Sequence, residues 1–161
     1  MMRKQRVLLV SYFFPPFPGV GALRMSYWAS QLHLYGFEMD VVSAFPHQAQ
    51  GSYRHYHVRE GKGSWLSSLI RDKGLAWRKP LRHFLAQDGL APYDIALISG
   101  GPFMHMGISR FLKERFPGIR VVLDFRDPFA DNPRFRQGTI RKMFKRFFER
   151  RFIAMADHIV T

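Results

Sequence analysis

Residues 7–22 read VLLVSYFFPPFPGVGA, and this stretch decides the fold class. Residues 7–11 form a short, almost wholly apolar run, which is typical of a strand buried on both faces of a sheet. The three prolines and two glycines that follow exclude regular structure, because proline fixes φ and lacks an N–H while glycine permits a sharp turn. The stretch therefore predicts a strand, a glycine-containing loop and then a helix.

The spacing of apolar residues extends this pattern toward the C-terminus. Gly36 is expected to end the helix, since glycine readily adopts the left-handed conformation found there. Residues 39–44 read as a second buried strand, so the segment opens a βαβ unit. Four apolar residues repeat at helical spacing on one face of the predicted helix: Ala22, Met25, Ala29 and Leu32.

The rest of the chain continues the alternation of strands and helices. Val58 marks a short strand, and residues 65–87 are predicted to be helical with interruptions at Gly74 and Pro80. Pro102 suits the first turn of another helix. The remaining predicted elements are strands at 93–99, 119–123 and 157–161 and a helix at 139–155. We expect an α/β fold with a Rossmann-like parallel sheet and helices on both faces.

Composition bounds the class of protein. The chain has 161 residues, which suits one domain. It carries 25 Lys and Arg against 12 Asp and Glu, and the net charge of +13 predicts an anionic partner. The absence of cysteine excludes disulfides and a thiol nucleophile and fits a reducing cytoplasm. No apolar run approaches the ~18 residues of a transmembrane helix.

Ligands of such sheets bind in the loops at the carboxyl ends of the strands. Gly19, Val20 and Gly21 lie at the start of a helix, where backbone N–H groups and the helix dipole favour phosphate or carboxylate, and Arg24 adds charge one turn later. Alternatively, the glycines only let the chain reverse. A dinucleotide fingerprint would need a third glycine at position 24, and no P-loop lysine is present, so NAD and ATP are not expected.

The loop predicted at residues 124–133 is the second candidate. Arg126 and Asp127 place a guanidinium beside a carboxylate just past a buried strand, where such a carboxylate can accept a proton or orient a sugar hydroxyl. The alternative is an ion pair that only shapes the loop. His55 and His57 have the spacing of two metal ligands on one strand face, but no third ligand is evident, so no metal is expected.

Positive charge is concentrated in residues 54–83 and 134–151, each with eight Lys and Arg. The second segment covers the helix predicted at 139–155. A solvated basic face, an anionic membrane surface and nucleic acid remain alternatives, and no nucleic-acid-recognition motif supports the last. The apolar side of this helix is Ile140, Met143, Phe144, Phe147, Phe148 and Phe152. The basic residues expected to face an anionic membrane are Arg141, Lys142, Lys145 and Arg146.

In their order and spacing, several segments together resemble the N-terminal half of a family 4 glycosyltransferase of the GT-B type. The resemblance extends over nearly the whole chain except residues 45–92. The segments that carry it are 7–16 with 19–22, Leu32 with 36–42, 94–99, 122–128, and 149–150 with 156–161.

The resemblance implies two Rossmann-like domains that face each other across a cleft. Residues 1–161 would be the acceptor-side domain, and a C-terminal domain beyond Thr161 would bind the nucleotide-sugar. The resemblance implies a retaining transferase that acts on a glycan or lipid-linked acceptor and needs no metal or other cofactor. It also implies a cytoplasmic protein, peripheral on the inner face of the membrane, in which this domain alone does not catalyse transfer.

The resemblance also implies roles for individual residues. Asp127 would be catalytic, although many family members have histidine in the loop where this sequence offers Arg126 and Asp127. The substrate-binding residues would be Gly19, Val20, Gly21, Arg24, Gly101 and Arg126.

The competing class is a basic module without catalysis, which would bind a membrane or nucleic acid on a Rossmann-like scaffold.

Overall fold

The computed structural model of the chain describes residues 3–47, 52–90, 92–132 and 138–161. The strand and the helix predicted on either side of the first loop are confirmed, as is the helix at 139–155, whose bounds do not change. In chain order the elements are β1 (Arg6–Ser11), α1 (Val20–Leu34), β2 (Glu38–Ser43), β3 (Tyr53–His57), α2 (Trp65–Ile70), α3 (Gly74–Leu85), β4 (Ile95–Ser99), a 3₁₀ turn (Met104–Ile108), α4 (Ser109–Arg115), β5 (Arg120–Asp124), α5 (Thr139–Met155) and β6 (His158–Val160).

The strands form one parallel sheet in the order β3-β2-β1-β4-β5-β6. Strand β1 lies near the centre, where Leu9 pairs with Val41 of β2 and Leu97 of β4. The order confirms the Rossmann-like α/β fold. Because the chain runs outward from β1 in both directions, the loops after β1 and β4 diverge and leave a crevice at the carboxyl ends of these strands.

Two apolar cores cover the two faces of this sheet. Leu8 and Val10 of β1 belong to the larger core, whereas Val7 and Leu9 belong to the smaller one, so alternate side chains point to opposite faces. Helix α1 covers the smaller core through its buried residues, which include the predicted Met25. The other helices and the 3₁₀ turn pack on the larger core, so the helices on the two faces are unequal in number.

Two predictions about helix boundaries are wrong. Pro80 does not interrupt a helix but lies inside α3. A proline there lacks the N–H that would reach the carbonyl oxygen of Ala76, and the backbone N–H of Gly61 donates to that oxygen instead, at 3.3 Å. Pro102 does not lie in the first turn of a helix. It precedes the helical segment, which begins as the 3₁₀ turn at Met104.

Two strands also differ from their predicted positions: the strand expected at Val58 is Tyr53–His57, and the strand expected at 119–123 is Arg120–Asp124. Strand β3 ends at His57, and Val58 follows it as a buried residue whose carbonyl oxygen accepts a hydrogen bond from Nε1 of Trp77 at 2.6 Å. Asp124, expected in a loop, is the last residue of β5. Its side chain therefore starts from the edge of the sheet at which ligands of this fold bind.

Candidate functional site

The first part of the site is the N-terminus of α1. Gly19 precedes the helix at φ 157° and ψ 147°, a conformation that is nearly restricted to glycine. The first turn contains no acidic residue, and no described side chain caps it. The N-terminal N–H groups and the positive end of the helix dipole therefore face the crevice uncompensated by side chains. Val20, the next predicted residue, is exposed at the start of the helix.

Arg126 lies across this helix end. A Cβ placed on Gly21 would come within 2.0 Å of Nη1 of Arg126, so only glycine leaves room for the guanidinium. Nη2 of Arg126 donates to the carbonyl oxygen of Gly100 at 3.1 Å and would lie 3.0 Å from a Cβ on Gly101. The fold thus brings three of the predicted site residues together, namely Gly21, Gly101 and Arg126.

Arg24 is engaged by a buried carboxylate. Its Nη2 forms an ion pair with Oδ1 of Asp124 at 2.9 Å, and only 2% of Asp124 is exposed. Burial raises the pKa of Asp124, and the charges of Arg24 and Arg126 and a hydrogen bond from Ser99 oppose that rise. Arg24 therefore balances a buried carboxylate, whereas Arg126 forms no ion pair with a described residue and adds its charge to that of the α1 N-terminus.

The second part of the site is an open cleft of about 410 Å³ beside the first. Asp127 lines it and is exposed, with no hydrogen bond or ion pair to another described residue. Gly101 lines the cleft as well and is therefore common to both parts of the site. Asp127 and Arg126, adjacent in sequence, thus face different spaces, so the fold does not bring Asp127 to the α1 N-terminus.

The loop that carries Asp127 is held from two sides. The backbone N–H of Phe129 donates to Oε1 of Glu149 on α5 at 2.9 Å. The ring of Phe129 stacks on that of Phe103 with 4.9 Å between centroids. Because Phe103 follows β4 and Phe129 follows β5, this stacking ties the two loops together. The position of Asp127 is therefore determined by packed neighbours on both sides.

Asp72 is a residue of this cleft that the sequence analysis did not single out. It is buried between α2 and α3, and its carboxylate accepts hydrogen bonds from the backbone N–H groups of Gly74, Phe103 and Met104 at 2.8–3.1 Å. Burial raises its pKa, and these hydrogen bonds oppose the rise. An Asp two residues before a helical Gly is a weak sequence signal, and the long-range partners are visible only in the fold.

Lys145 enters the same cleft from α5. Its ammonium lies 5.0 Å from the centroid of the Phe129 ring, in a cation–π contact. The side chain is half-buried, and this burial lowers its pKa, while the charge of Asp72 opposes the effect. Lys145 was expected to face a membrane, whereas the structure directs it toward the interior of the domain.

The basic residues of α5 are mostly engaged within the protein. Nε of Arg141 donates to the carbonyl oxygen of Leu69 at 2.8 Å. Lys142 and Arg146 both pair with Asp131, Arg146 at 3.0 Å. The four basic residues expected to contact a membrane therefore do not form one free basic face.

Part of the apolar side of α5 is exposed instead. Phe152 is buried and Phe148 is partly buried, which accounts for the side that packs on the domain. We call the exposed part the α5 surface. Its members are Ile140 (69% exposed), Met143 (65%), Phe144 (47%) and Phe147 (53%). No helix within the described residues is long and apolar enough to cross a bilayer.

The histidines near β3 form a polar cluster without a nucleophilic arrangement. Nε2 of His55 lies 2.9 Å from Oγ of Ser43, and that hydroxyl donates to the carbonyl oxygen of Phe45 at 2.7 Å. The network thus assigns the proton to Nε2 of His55, so this ring cannot take a proton from Ser43. Among the described residues, no group of three His, Asp or Glu side chains is placed to hold a metal ion.

Comparison with known proteins adds no assignment to this geometry. No protein-family model matches the chain, and no curated protein matches it at a significant level. The functional argument therefore depends on the site itself.

Proposed function

We propose that this chain is the acceptor-side domain of a retaining glycosyltransferase, which transfers a sugar from a nucleotide-sugar to a glycan or lipid-linked acceptor. The observation that carries the proposal is that two neighbouring sites of different charge lie at the same edge of the sheet. One is positively charged, at the α1 N-terminus and Arg126. The other is an open cleft lined by the carboxylate of Asp127, which has no ion pair with another described residue.

The two spaces suit the two parts of such a reaction. Backbone N–H groups and a guanidinium stabilise the phosphates of a nucleotide-sugar, whose negative charge increases as the leaving group departs. A carboxylate in the adjacent cleft can orient or deprotonate an acceptor hydroxyl. Gly101 lies between them and, lacking a side chain, leaves both spaces open. The nucleotide and sugar of the donor would be bound mainly by a second domain.

Replacement of Asp127 tests this proposal. In the full-length product of the reading frame, Asp127→Asn is expected to lower kcat for sugar transfer by about 100-fold or more, because the amide can neither accept a proton nor carry the charge. Folding should be unaffected, since the side chain is exposed and forms no hydrogen bond or ion pair with another described residue. The measurement is release of nucleoside diphosphate during transfer.

A matched control is Asp88→Asn, which changes another exposed carboxylate outside the cleft and should leave transfer intact. Equal rates for Asp127→Asn and the unmodified protein would remove Asp127 from the catalytic role. Absence of transfer with every nucleotide-sugar donor tried would contradict the proposed function itself.

A second proposal concerns the surface that the exposed side of α5 forms. We propose that the α5 surface docks on an anionic membrane, with its apolar side chains in the interface and Arg150 and Arg151 near the headgroups. Both arginines are exposed, and the guanidinium of Arg151 lies 5.3 Å from the Phe147 ring centroid. An apolar stripe beside basic residues is the composition of an interfacial helix. Of the basic face predicted from the sequence, Arg141, Lys142 and Arg146 have partners within the fold.

Vesicle co-sedimentation tests the docking proposal. Phe144→Ser together with Phe147→Ser is expected to weaken binding to phosphatidylglycerol-containing vesicles by about tenfold or more, because two large apolar groups are withdrawn from the interface. Tyr27→Ser, which alters an exposed aromatic residue of α1, is the matched control and should bind normally. Binding that ignores salt and anionic lipid content would contradict the proposal. Retention on nucleic acid instead would favour the non-catalytic basic module.

A further inference from the structure

Three cations line the cleft beside Asp127, and none of them is paired with a carboxylate of the described residues. Arg71 follows the end of α2, Lys73 precedes α3, and Lys145 lies in the middle of α5. Neither an ion pair nor a hydrogen bond joins any of the three side chains to another described residue. Bringing like charges from separate parts of the chain into one cleft costs electrostatic free energy, and an anion bound among them would offset that cost.

Two basic residues of α5 that lie outside the cleft have an acidic partner, unlike the cations in the cleft. On α5, Lys142 and Arg146 are paired with Asp131, which lies outside the cleft lining. Lys145, one turn from Lys142, is directed into the cleft and contacts the Phe129 ring. Helix α5 therefore carries two basic residues that are paired with Asp131 and one, Lys145, that is available to a ligand in the cleft.

The buried acid of the cleft, Asp72, forms no ion pair with these cations. Oδ1 of Asp72 accepts the N–H groups of Gly74 and Met104, and Oδ2 accepts that of Phe103. The carboxylate is therefore committed to the backbone and acts on Lys145 only through its field. Asp127 is the other carboxylate of the lining, so three cations face two carboxylates and one positive charge is in excess.

The walls of the cleft add a preference for a ring. Phe13, Phe103 and Phe129 line it, and their positions are held by stacking: Phe13 on Phe17 at 4.2 Å and Phe103 on Phe129 at 4.9 Å between centroids. The C–H bonds on one face of a pyranose form an apolar surface that packs on such rings, while its hydroxyls require polar partners. Asp127 is a polar partner of this kind at the same cleft.

We infer that this cleft binds a phosphorylated saccharide, with the phosphate among Arg71, Lys73 and Lys145 and the sugar ring against Phe103 and Phe129. A phosphate monoester has three strong acceptor oxygens, one for each of the three cations, whereas a carboxylate has only two. The inference deepens the proposed function: that this saccharide is the acceptor of the transfer rests on the proposed function. Binding itself requires no transfer.

Calorimetric titration of the full chain with glucose 6-phosphate, inorganic phosphate and glucose tests the inference. Glucose 6-phosphate is expected to bind more tightly than either of the others, and its affinity should fall as salt is added. Equal affinity for glucose would overturn the phosphate site. Equal affinity for inorganic phosphate would overturn the contribution of the sugar ring, and absence of binding would overturn the inference as a whole.

Variants assign the binding to the cleft. Lys145→Gln and Arg71→Gly are each expected to weaken glucose 6-phosphate binding by about tenfold, since a charge-assisted contact is lost. Glycine suits position 71, where φ is 54°, so Arg71→Gly removes the charge without backbone strain and serves if Lys145→Gln fails to fold. Lys142→Gln, outside the cleft, should bind normally. Unchanged binding by Lys145→Gln and Arg71→Gly would overturn the assignment.

The result is independent of the transfer assay. Intact glucose 6-phosphate binding without transfer by any donor would remove the proposed function and leave this site. Transfer to an uncharged acceptor, with no binding of glucose 6-phosphate, would remove this inference and leave the proposed function.

Discussion

Acidification to about pH 4 is expected to lower the free energy of unfolding by several kcal/mol, mainly through His105. This ring is fully buried beside Trp77, and neither of its nitrogens has a hydrogen-bond partner among the described residues. Burial lowers the pKa of His105 to about 3, opposed by the nearby backbone of Ser99. In the unfolded chain the same group titrates near its model-peptide value of about 6.5.

The sign follows from proton binding. Between about pH 6.5 and pH 3 the unfolded state binds a proton at His105 that the folded state excludes, so stability decreases as pH falls, by about 1.4 kcal/mol per pH unit at most. Above pH 6.5 both states are neutral at this group and the effect vanishes. His55, whose pKa burial lowers to about 4, acts in the same direction but less, because it is partly exposed.

Urea unfolding between neutral pH and about pH 4 measures the effect. His105→Gln, which cannot be protonated in this range, is expected to flatten the pH dependence of the unfolding free energy. His33→Gln, at an exposed position on α1, is the control and should preserve the slope. A stability profile of His105→Gln parallel to that of the unmodified chain would contradict the prediction, whatever its absolute stability.

Asp40→Ala is expected to destabilise the fold by about 3–5 kcal/mol, because it removes the shared partner of a buried polar cluster. Only 2% of Asp40 is exposed. Its carboxylate accepts two hydrogen bonds from Arg54, at 2.7 and 2.9 Å, one from Arg6 at 3.0 Å and one from the Tyr93 hydroxyl at 2.7 Å. Without it, the buried Tyr93 hydroxyl and the Arg6 guanidinium lose this acceptor together.

Chemical denaturation compares this variant with a surface pair on the same strand. Glu38 lies 3.7 Å from Arg6, but its side chain is 54% exposed, so Glu38→Ala should cost less than about 1 kcal/mol. Asp40→Asn, which keeps an acceptor for Tyr93, should fall between the two. A loss below 1 kcal/mol in Asp40→Ala would show that the cluster does not support the fold as described.

Most of the sheet was predictable because its central strands have a local sequence pattern, whereas β3 (Tyr53–His57) has no apolar run and its bounds were not predicted. A strand buried on both faces needs a continuous apolar run, and residues 7–11 and 39–44 satisfy that condition by themselves. Gly36 ends α1 as expected and has φ 87°, a conformation that local sequence specifies. Helix α5 has its predicted bounds for the same reason, since the helical period is visible within the segment.

Features that depend on distant partners were not predictable. Pro80 is tolerated in α3 because Gly61 supplies the missing donor to Ala76. Asp72 accepts hydrogen bonds from residues up to 32 positions away, and Asp40 joins β2 to Arg6 and Tyr93. Nothing within a short window of sequence indicates these contacts. The exposure of the α5 surface was equally hidden, because periodicity shows that a helix has an apolar side but not how much of that side the domain covers.

The sequence by itself determined the parallel sheet, the crevice at its carboxyl edge and the large positive charge, since these follow from local patterns and composition. Only the tertiary structure decided which cations are available for a ligand. Arg24 is paired with Asp124 and Lys142 with Asp131, whereas Lys145 lines the cleft without an ion pair to any described residue. Pairing depends on distance in space, and that distance is set by the packing of α5 and the loops against the sheet.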